Sequence, residues 1–123
     1  MSGITKKMQS TTAYEKWDVL LVPFPFTNLK STKRRPALVV SPNMYNQSQD
    51  VVVAFVTSNL QSEERVGDYK LKRWKEAGLP KPSKLRMKFA TIDKSLIIKK
   101  LGRFTDEDIK GVRFSLIDFF GIE

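Results

Sequence analysis

The chain has 123 residues, 41% of them apolar, which suits one globular domain around a single modest core. It contains no cysteine and no histidine, so disulfides, thiol nucleophiles, Ser-His-Asp triads and histidine-ligated metals are all excluded. A formal net charge of +9 makes a polyanion the expected partner, with nucleic acid the first candidate.

Residues 1 to 13 have little apolar periodicity and are expected to form a flexible tail, which leaves 14–123 as one domain. No apolar run is long enough to span a bilayer and no signal sequence follows Met1, so the expectation is a cytoplasmic protein that needs no membrane. The first strand is expected over Trp17 to Val22, ending at Pro23. The segment from Pro23 to Lys33 holds two prolines and several small polar residues, and so predicts a long loop. A buried strand is expected from Pro36 to Ser41, and the strongest strand signal is Val51-Val52-Val53-Ala54-Phe55-Val56. Asp68 to Leu71 predicts a short strand, and Trp74 to Pro80 one helical turn stopped by Gly78 and Pro80. Two further strands are expected over Met87 to Ile92 and Leu96 to Leu101. The chain closes with a helix capped by Thr105, with Asp106, Glu107 and Asp108 complementing its dipole. Its apolar face is Ile109, Val112, Leu116 and Phe120, and Gly121 stops it. The acidic trio is a helix-capping feature in preference to a metal site. Many short strands and one terminal helix predict a mainly β (α+β) domain, a small curled sheet or partly closed barrel.

The positive charge is concentrated. Between Arg65 and Arg103 there are 13 Lys or Arg against Asp68, Glu76 and Asp93. Such a patch suits a nucleic-acid backbone, although it also suits an acidic protein. Arg35 stands directly before Pro36 and a buried strand, so a guanidinium suited to two-point phosphate binding is mounted on a rigid element. Thr57 ends the strongest strand, where its hydroxyl could meet the same phosphate or bond its own backbone. Phe24, Phe26 and Trp74 could stack unpaired bases or plug the core.

Taken in order, Trp17-Asp18-Val19, Pro23-Phe24-Pro25-Phe26-Thr27, Lys33-Arg34-Arg35-Pro36-Ala37-Leu38-Val39 and Phe55-Val56-Thr57-Ser58 resemble the MazF/PemK toxin family. Trp74, Ala77-Gly78-Leu79, Pro82-Ser83, Leu85-Arg86, Thr91-Ile92-Asp93 and Leu101-Gly102 extend the resemblance over about residues 14 to 122, within the PemK-like subgroup. The resemblance implies an SH3-like small β-barrel with a short helix and a C-terminal helix, the fold shared with CcdB-like toxins. It implies the toxin of a type II toxin-antitoxin pair, a homodimer that cuts single-stranded RNA without metal or cofactor and is neutralised by a cognate acidic antitoxin. Cleavage would use the RNA's own 2′-hydroxyl, leaving 2′,3′-cyclic phosphate and 5′-hydroxyl ends. The catalytic positions so implied are Arg35, Thr57 and Arg86. Phe24, Phe26, Thr27, Arg34 and Ser58 would contact RNA, and so would Asn59, Trp74, Ser83, Lys84 and Lys88. One departure stands out. Some relatives carry an acid soon after the matching arginine and some a histidine near the first loop, whereas this chain has Met87-Lys88 and no histidine. An arginine base, a water, or charge stabilisation with little side-chain proton transfer all remain open. The alternative reading is a non-catalytic member of the same fold that binds RNA or DNA, or targets gyrase.

Overall fold

The computed structural model describes residues 13–25 and 33–122. Most of the expected tail, together with Phe26 and Thr27, lies outside them. Six strands form one antiparallel sheet: β1 (Asp18–Phe24), β2 (Lys33–Val39), β3 (Asp50–Thr57), β4 (Tyr69–Lys70), β5 (Lys84–Asp93) and β6 (Lys99–Arg103), followed by helix α1 (Asp106–Phe120). The strand order is β4-β5-β3-β2-β1-β6. The sheet curls into a half-barrel with α1 against one face, in agreement with the expected class.

Successive side chains of a strand point to opposite faces, and here both faces are buried. Val19, Leu38, Ala54, Val56 and Leu85 enter one core with Phe104 and Val112. Leu20, Val22, Ala37, Val39, Val51 and Val53 enter the second with Ile92. That is why the central strands are unbroken apolar runs instead of alternating ones. β1 runs on through Pro23, which stands opposite Arg34, and Phe24 stands opposite Lys33. β2 therefore begins at Lys33, earlier than its apolar run. The ladder to β3 starts only at Ala37, so Pro36 lies outside that pairing and its missing N–H breaks no bond to β3.

The turn expected around Trp74 is present: the Ala77 N–H bonds Arg73 O at 3.1 Å, and the Leu79 N–H bonds Trp74 O at 3.1 Å. Gly78 closes it with φ +88°, and a side chain there would collide with the carbonyl of Leu101. α1 differs from expectation at its start. Thr105 occupies the cap position, yet its hydroxyl makes no cap bond and is buried without a hydrogen-bond partner. Asp108 stands in the first turn as expected, but it is fully buried and does more than complement the dipole. It accepts from the Tyr69 hydroxyl at 2.6 Å, the Lys72 N–H at 2.9 Å and the Arg73 N–H at 2.8 Å. Gly111 leaves room for the Tyr69 ring to cross the helix. Val112 is buried as expected, but Phe120 is 54% exposed, and Phe114 (74%) and Ile117 (49%) also face outward.

Candidate active site

Phe24 closes β1, Arg35 lies near the start of β2, Thr57 closes β3 and Lys84 opens β5. Antiparallel pairing therefore brings all four to one end of the sheet. A cleft of about 190 Å³ opens there, lined by Phe24, Arg35, Phe55, Val56, Thr57, Arg65, Arg86 and Lys88. Arg34 and Arg35 are neighbours on one strand and so face opposite ways. Arg35 lines the cleft, while Arg34 is exposed outside its lining.

The far wall is built by an irregular ladder. Ala54 pairs with Phe89 and Val56 pairs with Leu85, so three β5 residues, Arg86 to Lys88, stand opposite the single residue Phe55. A bulge of this kind re-aims side chains. Here it carries Arg86 and Lys88 over the cleft. Phe24 and Phe55 meet edge to face at 5.1 Å between centroids, forming an aromatic floor. The Arg35 guanidinium lies 5.1 Å from the Phe24 centroid, and Lys88 Nζ lies 5.3 Å from that of Phe55 and 5.9 Å from that of Phe24. These cation–π contacts fix two positive groups without neutralising them.

Among the described residues no carboxylate forms an ion pair with Arg35 or Lys88. Arg86 differs. Its Nε donates to Asp68 Oδ1 at 3.2 Å and its Nη2 to Asp68 Oδ2 at 2.9 Å. Nη2 also reaches the Glu63 carbonyl at 3.0 Å. Asp68 further accepts the Arg65 N–H at 3.0 Å and faces Lys84 Nζ at 3.3 Å. The side chains of Asp68, Lys84 and Arg86 are only 3%, 6% and 14% exposed. Burial by itself would raise the Asp68 carboxyl, but hydrogen bonds from Arg86, Arg65 and Lys84 outweigh it and hold the group below its ordinary value. Asp68 is thus a committed anion with its oxygens occupied, and a poor base. The hydrogen bond to Asp68 in turn raises Arg86, keeping it cationic. The Thr57 hydroxyl accepts the Asn59 N–H at 3.1 Å, which orients it and leaves its own hydrogen to donate.

Of the expected site residues, Phe24, Arg35, Thr57, Arg86 and Lys88 meet at this cleft. Ser58 and Asn59 follow β3 on exposed chain beside it. Lys84 and Ser83 are not brought to it: Lys84 is turned inward to Asp68, and the buried Ser83 hydroxyl donates to Lys81 O at 2.8 Å. Trp74 packs against the core under Lys75, away from the cleft. Arg65, Phe55 and Asp68 were not among the sequence candidates. Arg65 and Asp68 lie within the basic stretch but outside every recognisable block, and Phe55 sits in a strand whose apolar run hides which residue faces a cleft.

The family of PemK-like, MazF-like toxins of type II toxin-antitoxin systems matches residues 15–120. No curated protein matches the chain in sequence. Among solved structures, it is similar to an endoribonuclease in complex with its cognate antitoxin from a mycobacterial species (TM-score 0.72, 18% identity, covering 90% of this chain and 98% of that one). It is likewise similar to MazF in the MazE–MazF assembly of Deinococcus radiodurans (TM-score 0.69, 20% identity, covering 91% and 99%). The Mycobacterium tuberculosis toxin MazF-mt6 superposes with a TM-score of 0.66 at 15% identity, covering 86% of this chain and 98% of that one.

Proposed function

Because the chain belongs to the PemK-like, MazF-like toxins of type II toxin-antitoxin systems, we propose that it is an endoribonuclease that cuts single-stranded RNA without a metal. The observation that carries this reading is the shared cleft of Arg35 and Thr57, with no described carboxylate set against that guanidinium. The 2′-oxygen attacks the adjacent phosphorus, a bond to the cyclic phosphate forms, and the bond to the 5′-oxygen breaks. Negative charge grows on the phosphoryl oxygens between those events. Arg35 offers parallel donors to the two non-bridging oxygens, Thr57 a further hydroxyl donor, and Arg86 the guanidinium nitrogen that Asp68 leaves available. Preplaced donors of this kind supply most of the stabilisation in such a step. The cleft walls offer cations and a hydroxyl in place of the carboxylates that hold a divalent ion. The half-buried Phe24 ring at the cleft is the aromatic surface for an unstacked base, with buried Phe55 supporting it from beneath.

Partners follow from charge and surface. A cationic cleft suits an acidic antitoxin segment that competes with RNA for the same groups. The outward apolar face of α1 (Phe114, Ile117 and Phe120) is larger in scale than scattered surface residues, and a second copy of the chain is the occupant we assign to it.

The test is incubation of purified protein with a long RNA in EDTA, with mapping of the ends. New 5′-hydroxyl ends are expected, absent with Arg35→Ala protein that melts like wild type. Salt-sensitive RNA binding with no new ends would instead support the non-catalytic reading.

A further inference from the structure

The cleft contains the means to bind a phosphodiester but leaves open where the departing 5′-oxygen obtains its proton. An alkoxide is a poor leaving group, and a positioned acid is worth about 100- to 10,000-fold in such a step. The chain has no histidine. Five described residues lining the cleft carry exchangeable protons: Arg35, Thr57, Arg65, Arg86 and Lys88. Arg35 on β2, Arg65 on the β3–β4 connection and Arg86 on β5 are guanidiniums, which donate hydrogen bonds but keep their protons. Thr57 is a hydroxyl already oriented by Asn59. Asp68 stands behind Arg86 as an anion, with no proton to give and its oxygens taken by Arg65, Lys84 and Arg86. Lys84 is turned away from the cleft onto Asp68. Lys88 remains. Its ammonium is held over Phe55 at 5.3 Å and Phe24 at 5.9 Å, and the latter ring also carries Arg35.

We propose that Lys88 is a catalytic residue, the general acid that protonates the departing 5′-oxygen. This rests on the nuclease reading above and deepens it. The 2′-oxygen bonds to phosphorus and its proton passes to solvent hydroxide or water. The P–O5′ bond breaks, its electron pair going to O5′. Lys88 Nζ gives that oxygen a proton, and the neutral amine takes one back from water. The sheet irregularity opposite Phe55 delivers Lys88 Nζ to the aromatic floor beside Arg35. The rings fix the ammonium without using its protons in a salt bridge, so a transferable proton stays available.

The experiment compares two substrates once the cleavage site has been mapped on natural RNA. One is an oligonucleotide with the ordinary linkage. The other carries a 5′-bridging sulfur at the same position, whose thiolate departs without a proton. Lys88→Arg keeps charge and ring contacts but removes the acid. For the ordinary linkage we expect this variant to lose about 100-fold in kcat. For the sulfur linkage we expect it to stay within about threefold of wild type, since no proton is needed. Arg35→Ala should be impaired on both. Equal losses of Lys88→Arg on the two substrates, or no loss on either, overturn the assignment while leaving the nuclease reading intact. Failure of the wild-type protein to cut either substrate removes the nuclease reading and this inference with it. Lys88→Ala, assayed alongside, separates loss of the acid from loss of charge: its extra defect relative to Lys88→Arg must appear in KM on both substrates.

Discussion

Asp68→Asn tests the charge cluster behind the cleft. The substitution keeps the size of the side chain and removes the anion that serves Arg86, Lys84 and the Arg65 N–H together. With Lys84 only 6% exposed, its ammonium cannot recover full hydration once the carboxylate is gone. Removing one partner of a buried pair costs about 3 to 5 kcal/mol, and we take about 3 because Arg86 retains some contact with water. A domain of this size shifts by about 4 °C per kcal/mol, so the melting temperature should fall by about 12 °C. Circular dichroism melts at neutral pH and low salt measure it. The pH dependence follows from the lowered carboxyl. Its contribution is fully present above the ordinary value of 3.8 and is lost as pH falls through the still lower folded value. The gap between wild type and variant should therefore be constant near neutrality and close in strong acid. Adding Lys84→Met to Asp68→Asn removes the orphaned cation and should restore about half of the loss. A single variant melting within about 2 °C of wild type would refute the reasoning, since 3 kcal/mol cannot hide in that interval.

Thr57→Val keeps the shape and deletes the hydroxyl, so cleavage should slow by about 100-fold with RNA binding retained; an unchanged rate would make Thr57 structural. Asp108→Ala strands the Tyr69 hydroxyl and two backbone N–H groups, and should lower stability by about 3 kcal/mol in urea unfolding. The same variant should bring the Tyr69 phenol, raised first by burial and then by Asp108, part of the way back towards its ordinary value of 10.0 in an absorbance titration. Ile117→Asp places a charge on the outward face of α1 and should convert a dimer into a monomer by light scattering; identical masses for the two proteins would reject that face as the contact.

Local signals were readable wherever local chemistry decides the outcome. The β-branched run at Val51 marks β3, and Gly78 marks the end of its turn, because those preferences act within a few residues. Pro23 misled for the same reason: its local signal says loop, while pairing with Arg34 carries β1 to Phe24. Arg35 was legible from its place before Pro36 and a buried strand, while Thr57 needed the order of blocks around it to be preferred over a strand-end backbone contact; the ladders bring both to one cleft. The register shift opposite Phe55 is a property of two strands together, so neither strand alone announces it. Asp108 resembled an ordinary first-turn acid because its partners, Tyr69, Lys72 and Arg73, lie more than 30 positions away. Lys84 and Ser83 were expected on RNA and lie inside, since a basic run does not disclose which lysine a buried aspartate will claim.

The three-against-one mismatch at Phe55 also bears on how the protein can change. Pairing resumes on either side of Arg86, Met87 and Lys88 without their backbone being needed to hold the strands in register. Strand register is therefore separable from the side chain at Lys88, whereas Arg86 stays tied to the fold through Asp68. Substitution at Lys88 should leave the sheet folded, so that a loss of activity there reads on the chemistry of the cleft and not on the strands beneath it.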